Sequence, residues 1–262
     1  MTHWEPVFDR EADCRTLTLI LSPGRVATTS LYLWCNRAGV KTYKTHTSDQ
    51  RMARDIYRDR IRDDLKIPFF LEQSRHVLGR AFKVADPVRI VLPTRDPLAR
   101  TLSAFRRFVA GGRVALPEDS PPEALARALE AEIPADRLDV WLERNLDPLW
   151  PLPETGALLR DAAPMRRHDA GRFRFLLLRS EMEDDAICAA LSDFLGQEIV
   201  PLARDETAQA HNATIAPALR TALAGLPDAL SPAYLQALNS SRYARLFYPE
   251  RGAPDPDGDP AP

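Results

Sequence analysis

The sequence predicts an α/β fold with a central, mainly parallel sheet and helices on both faces. Two observations predict it. Segments of strand length recur at Thr16 to Leu21, Val40 to Thr45, Arg89 to Pro93 and Phe173 to Leu178, the first, third and fourth of them largely apolar. Turn signals and segments of helical spacing follow the first, third and fourth of them. The 262 residues suffice for one such domain with an insertion.

Thr16 to Leu21 (TLTLIL) is apolar and partly β-branched, as in a buried strand, and Ser22-Pro23-Gly24 breaks it. Val26 to Ala38 reads as a helix that opens from a Thr/Ser-rich turn and closes near Gly39. Val40 to Thr45 is a second strand. Arg51 to Leu65 is a highly charged helix with Asp49 as N-cap, its charges forming a solvated face. Arg89 to Pro93 (RIVLP) is a third strand. Asp96 then suits an N-cap and Pro97 a first helical turn. From Gly111 to Pro164 the chain is rich in proline, acidic residues and leucine. It predicts short helices and loops, with Leu138 to Leu146 the clearest helix, as an insertion over about 111–168 that covers substrate. Phe173 to Leu178 returns to strand character. Asp184 to Leu195 follows as a helix with Ile187, Leu191, Phe194 and Leu195 on one face and Gly196 as its stop. The chain after Pro217 reads as helical to about Tyr248. Arg251 to Pro262, rich in Pro, Asp and Gly, reads as a disordered tail, which leaves 1–250 as a single domain.

Composition narrows the function classes. Hydrophobic residues make up 45% and charged residues 27%, and the formal charge of −2 gives no broad cationic surface for nucleic acid or membrane. Any anion site is therefore local. Three cysteines, Cys14, Cys35 and Cys188, show neither a disulfide framework nor zinc-ligand spacing. Met1 to Arg15 is polar and acidic, unlike a signal peptide, and no apolar run approaches membrane-spanning length. The expected location is the cytoplasm, with no metal.

Two stretches carry chemistry. Gly24, Arg25, Val26, Ala27, Thr28, Thr29 and Ser30 lie between the first strand and the first helix. Backbone N–H groups and the dipole at that helix start favour a phosphate or sulfate, to which the three hydroxyls and the Arg25 guanidinium add donors. An ordinary capped βα turn has the same composition, so the loop alone does not decide. It is no Walker A loop, since no lysine falls between Thr16 and Gly39. The second stretch is Arg95-Asp96-Pro97-Leu98-Ala99-Arg100-Thr101-Leu102-Ser103-Ala104-Phe105. Arg95 sits at the carboxyl end of the third strand, where open α/β sheets place ligands. Leu98, Leu102, Phe105 and Val109 share one helix face, and Arg100, Ser103 and Arg107 the opposite one. A single phosphate can bridge Arg95 and Ser103.

Together these motifs resemble the PAPS-dependent sulfotransferases, nearest their bacterial carbohydrate and capsular polysaccharide branch. In that superfamily a Lys/Arg-x-Gly-Thr/Ser-Thr loop binds the 5′-phosphosulfate, and Arg25, Thr28 and Thr29 occupy its positions. A strand-end arginine and a serine eight residues on bind the 3′-phosphate, and Arg95 and Ser103 match them. Phe175 to Ser180 with the helix ending Phe194-Leu195-Gly196 is similar to the family's late strand and helix, and Tyr243 to Tyr248 to its carboxyl-terminal helix. The chain departs from the pattern at Ala27, where the family has glycine, at Arg25, where many members have lysine, and in having no tryptophan after the two threonines. The resemblance implies a three-layer P-loop-like fold, PAPS as donor, PAP as product, no metal, and a hydroxyl acceptor, by resemblance a saccharide.

Sulfuryl transfer, like phosphoryl transfer, asks the protein for alignment and charge stabilisation more than for covalent work. Arg25 is the candidate for charge on the bridging oxygen. The acceptor needs a base, and His46, closing Lys44-Thr45-His46 at the end of the second strand, is the first choice. Asp49 and Glu181 are further base candidates, and His3, His76, His168 and His211 have no assigned role. Lys44 is a candidate sulfate contact, and Arg242 and Arg245 are candidate late phosphate contacts. Two other readings compete: a P-loop-like kinase with Asp96 on magnesium, and a non-catalytic PAP-binding protein of the same fold.

Overall fold

In the computed structural model the described residues are 17–49, 51, 53, 54, 58, 61, 71, 74, 77, 87–150, 163–202 and 214–251. The first strand, β1 (Leu17–Leu21), is buried along its whole length, as its unbroken apolar run demands. It leads into helix α1 (Thr28–Arg37) and then β2 (Thr42–Thr45), which pairs with β1 in parallel. β3 (Val88–Thr94) pairs in parallel on the other side of β1 and feeds α2 (Pro97–Ala110), capped by Asp96 on the Ala99 N–H at 2.9 Å as its sequence predicts. Helices α3 (Pro122–Glu132) and α4 (Arg137–Asn145) precede β4 (Met165–Ala170) and β5 (Phe173–Arg179). β5 is parallel to β3 and antiparallel to β4, so the sheet order is β2-β1-β3-β5-β4. Helices α5 (Asp184–Leu195), α6 (Pro217–Ala229), α7 (Pro232–Ser240) and α8 (Arg242–Phe247) complete the described chain, with a short 3₁₀ turn at Pro249–Arg251.

The two-residue period of the strands sorts the core. Leu17, Leu19, Leu21, Ile90, Leu92, Phe175 and Leu177 pack with Leu138 and Leu142 of α4 and with Tyr243 and Phe247 of α8. Their alternates Ile20, Val91, Leu176 and Leu178 pack with Leu31 and Trp34 of α1 and with Ile187 and Leu191 of α5. A third apolar cluster joins α2, α3 and α6 around Phe105, Leu125, Leu129 and Leu226.

Several expectations need correction. Met165–Ala170, whose first residues fall in the helical insertion expected over about 111–168, is an edge strand. Its sequence, Met-Arg-Arg-His-Asp-Ala, carries charge where a buried strand carries apolar residues, and charge on an edge strand keeps that edge from recruiting another. Helix α1 begins at Thr28, two residues later than expected, because Ala27 takes a left-handed conformation (φ 57°). The run after Pro217 is helical as expected, in three pieces. Leu230 turns extended (ψ 143°), and Ser231 and Ser241 cap the next two at 3.2 and 3.1 Å. Asp49 caps Arg51 at 2.8 Å as expected, but most of the charged helix from Arg51 to Leu65 lies outside the described residues, as does the tail beyond Arg251. No helix among the described residues is long and apolar enough to cross a membrane.

Candidate functional site

The carboxyl ends of β1, β2, β3 and β5 share one edge of the sheet, and the loop from Ser22 to Ala27 lies on it. Ser22 turns the chain there: its N–H donates to the Thr45 carbonyl (3.2 Å) and its Oγ accepts from the Gly24 N–H (3.1 Å). Gly24, Arg25 and Ala27 then all take positive φ, at 79°, 65° and 57°. That run leaves the N–H groups of Arg25, Val26 and Ala27 without a hydrogen-bond partner among the described residues. Successive unpaired amides in such a turn form an anion-binding concavity. Helix α1 adds to it, since Ala27 at its N-cap makes no side-chain cap and no acidic residue occupies its first turn. Thr28 and Ser30 are buried in that turn, and Thr29 is half-buried and accepts from Lys44 Nζ at 3.1 Å.

A left-handed alanine costs about 1–2 kcal/mol that glycine avoids, set against glycine's larger entropy loss on folding. Ala27→Gly is therefore expected to stabilise the fold by roughly 0.5–1 kcal/mol in urea denaturation.

The structure brings the two predicted motifs together. Arg25 donates through Nε to Ser103 Oγ of α2 at 3.2 Å, and Arg95 donates through Nη1 to the Arg25 carbonyl at 3.3 Å. Arg100, only 6% exposed, donates through Nη2 to the Pro23 carbonyl (2.8 Å) and through Nε to the Gly24 carbonyl (3.4 Å). Arg25, Arg95 and Arg100 form no ion pair among the described residues. Burial lowers the Arg25 pKa below its ordinary value, and Arg107 and Arg95 nearby lower it further. Burial, with Arg137 and Arg25, takes Arg100 down to about 10, so Arg100 stays cationic at neutral pH.

His46 faces the same loop. Its Nδ1 lies 3.2 Å from both the Ser22 carbonyl and Ser22 Oγ, and a Cβ added at Gly24 would sit 3.7 Å from its ring. A carbonyl only accepts, so this contact assigns the proton to Nδ1 and leaves Nε2 as the basic nitrogen. Burial first, then Lys44, Arg100 and Arg25, lower its pKa to about 4. His46 is therefore neutral at pH 7.

Helix α4 holds the His46 loop in place. Trp141 Nε1 donates to the His46 carbonyl at 2.8 Å. Asn145 Oδ1 accepts from Thr47 Oγ1 (2.6 Å) and the Ser48 N–H (2.8 Å), while its carbonyl accepts from Ser48 Oγ (2.6 Å). Asn145 is 1% exposed, so Asn145→Ala would remove the acceptor of the half-buried Ser48 N–H and one acceptor of Thr47 Oγ1. A loss of about 1–3 kcal/mol is expected in urea denaturation, with faster amide exchange at Ser48.

The end of the chain braces Arg95. Tyr243, fully buried, accepts from the Arg95 N–H at 3.2 Å and donates to its carbonyl at 3.3 Å. Glu181 accepts from the Asp96 N–H (2.8 Å) and from Tyr248 OH (3.0 Å), so this base candidate is engaged as a brace. Asp49 acts as the helix cap described above. Arg242 forms a forked pair with Asp147 at 2.6 and 2.9 Å, and Arg245 donates to the Ser240 carbonyl, so these late phosphate candidates have partners outside the loop. His168 stacks on Trp150, with centroids 4.2 Å apart. His3, His76 and His211 lie outside the described residues. Arg100, Trp141, Asn145, Tyr243 and Tyr248 are the contributors to this site that the sequence pattern did not single out. Only Arg100 carried a local signal, lying on the same helix face as Ser103. No group of three or more His, Cys, Asp or Glu able to hold a metal occurs among the described residues. No family model, curated protein or solved structure matches the chain.

Proposed function

We propose that the protein is a PAPS-dependent sulfotransferase that moves a sulfuryl group to an acceptor hydroxyl, on a saccharide, and does so in the cytoplasm on a three-layer P-loop-like scaffold. The observation that carries this reading is the meeting of Arg25 with Ser103 at 3.2 Å and of Arg95 with the Arg25 carbonyl at 3.3 Å. Residues 78 and 70 positions apart thereby surround one carboxyl-edge loop. They do so with positive charge that no described carboxylate neutralises, on a chain whose formal charge is −2. Such a concentration of cations suits a ligand with two separated anionic ends.

PAPS supplies the sulfuryl group: its bond to the 5′-phosphate oxygen breaks as a new S–O bond forms to the acceptor. The loop amides of Arg25, Val26 and Ala27, with Thr28 and Thr29, hold the phosphosulfate end. Arg25 Nε is occupied by Ser103, and its two terminal nitrogens make no hydrogen bond among the described residues, so they serve the leaving oxygen. Lys44, held at Thr29, adds charge on the sulfate side. Arg95 and Ser103 hold the 3′-phosphate. His46 takes the acceptor proton on Nε2.

Calorimetric titration with PAP, without magnesium, tests the reading. One-site binding is expected, and its absence overturns the proposal. Magnesium-dependent ATP binding in place of PAP binding would select the kinase. PAP binding with no sulfate transfer to a broad acceptor panel would select the non-catalytic protein.

A further inference from the structure

Arg100 stands out because it is a permanently charged side chain in a place built for an apolar one. It is 6% exposed, and among the described residues it has no carboxylate partner and its buried Nη1 no hydrogen bond. A leucine or methionine would fill the volume without that penalty. What only the guanidinium can do there is hold two consecutive carbonyls, those of Pro23 (2.8 Å) and Gly24 (3.4 Å). In a trans peptide the N–H points opposite to the C=O. Fixing the Gly24 carbonyl on Arg100 therefore turns the Arg25 N–H away from α2, at the head of the three unpaired amides. The Gly24 N–H, on the other peptide, is retained by Ser22 Oγ at 3.1 Å.

We infer that Arg100 is a positioning residue: by holding the Pro23 and Gly24 carbonyls it aims the backbone amides of Arg25 to Ala27 at the 5′ anion of the bound ligand. It touches neither the acceptor nor the 3′-phosphate. The inference shares with the proposed function only the anion on the loop. It concerns the direction of main-chain donors, so it stands apart from the identity of the nucleotide.

Two variants and three probes test it. Arg100→Met removes charge and fork, and Arg100→Lys keeps the charge but cannot reproduce the fork. Each is titrated with adenosine 5′-monophosphate, adenosine 3′-monophosphate and inorganic pyrophosphate. Arg100→Met is expected to weaken the 5′-monophosphate and pyrophosphate at least tenfold while changing the 3′-monophosphate less than twofold, with Arg100→Lys intermediate. A general loosening of the fold would weaken all three together, and that result overturns the inference. So does unchanged 5′-monophosphate and pyrophosphate affinity in both variants. Pyrophosphate separates the two claims: a wild-type protein that binds pyrophosphate but neither nucleotide rejects the sulfotransferase reading and leaves the effect of Arg100 measurable. A wild type that binds none of the three rejects both. Should Arg100→Met fail to fold, Arg100→Lys decides alone, an unchanged 5′-to-3′ affinity ratio being the overturning outcome.

Discussion

Arg95→Ala is expected to weaken PAP binding by about 10- to 150-fold, the loss of a charge-assisted contact worth about 1.5–3 kcal/mol. The Arg95 side chain also donates to the Arg25 carbonyl at 3.3 Å, so its removal loosens the loop proposed to hold the other end of the nucleotide. The main chain at this position is held independently, by Tyr243 on both its N–H and its carbonyl, so the substitution spares the fold. Ser103→Ala removes a neutral acceptor from Arg25 Nε and is the smaller change. The measurement is calorimetry of both variants against PAP and against adenosine 5′-monophosphate. The signature of a 3′-phosphate contact is a loss with PAP that exceeds the loss with the monophosphate. Equal affinity of wild type and Arg95→Ala for PAP would remove Arg95 from the site.

His46→Asn is expected to lower turnover by about 100- to 10,000-fold, the usual contribution of a positioned general base, with PAP affinity retained. The pH profile carries the sharper signature. A base works unprotonated, and burial beside Lys44, Arg100 and Arg25 has lowered this imidazole from 6.5 to about 4. The acid limb of kcat/KM, which reports the free enzyme, should therefore fall near pH 4 instead of near 6.5. A polyanion on the adjoining loop favours the imidazolium, so the limb in kcat should lie at higher pH than the limb in kcat/KM. The same depressed pKa ties stability to pH: between about 6.5 and about 4 the unfolded chain binds a proton that the folded chain refuses, so stability falls as the pH falls. The profile is read within the range where circular dichroism shows the fold intact. Normal turnover in His46→Asn would exclude the residue from the reaction.

What the sequence made legible is what it encodes locally. β1, β3 and β5 announce themselves as apolar runs because both of their faces are buried. Asp96-Pro97 announces a helix start because the cap and its N–H are three residues apart. Arg95 and Ser103 could be paired because one strand end and one helix place them. β4 was illegible because an edge strand is stabilised by one neighbour and tolerates charge. The left-handed Arg25 and Ala27 were illegible because neither residue type favours positive φ. Trp141 and Tyr243 escaped for a different reason: their partners lie 95 and 148 positions away, and nothing in their own neighbourhood marks them, while Arg100 shared the helix face of Ser103 but its partner lies 76 positions away.

The clasp of Tyr243 on Arg95 ties the end of β3 to a helix encoded far downstream. The loop from Ser22 to Ala27 and Arg95 leave the ribosome early, yet the hydroxyl that seats Arg95 comes 148 residues later. The end of β3 is thus fully braced only once α8 has docked against it.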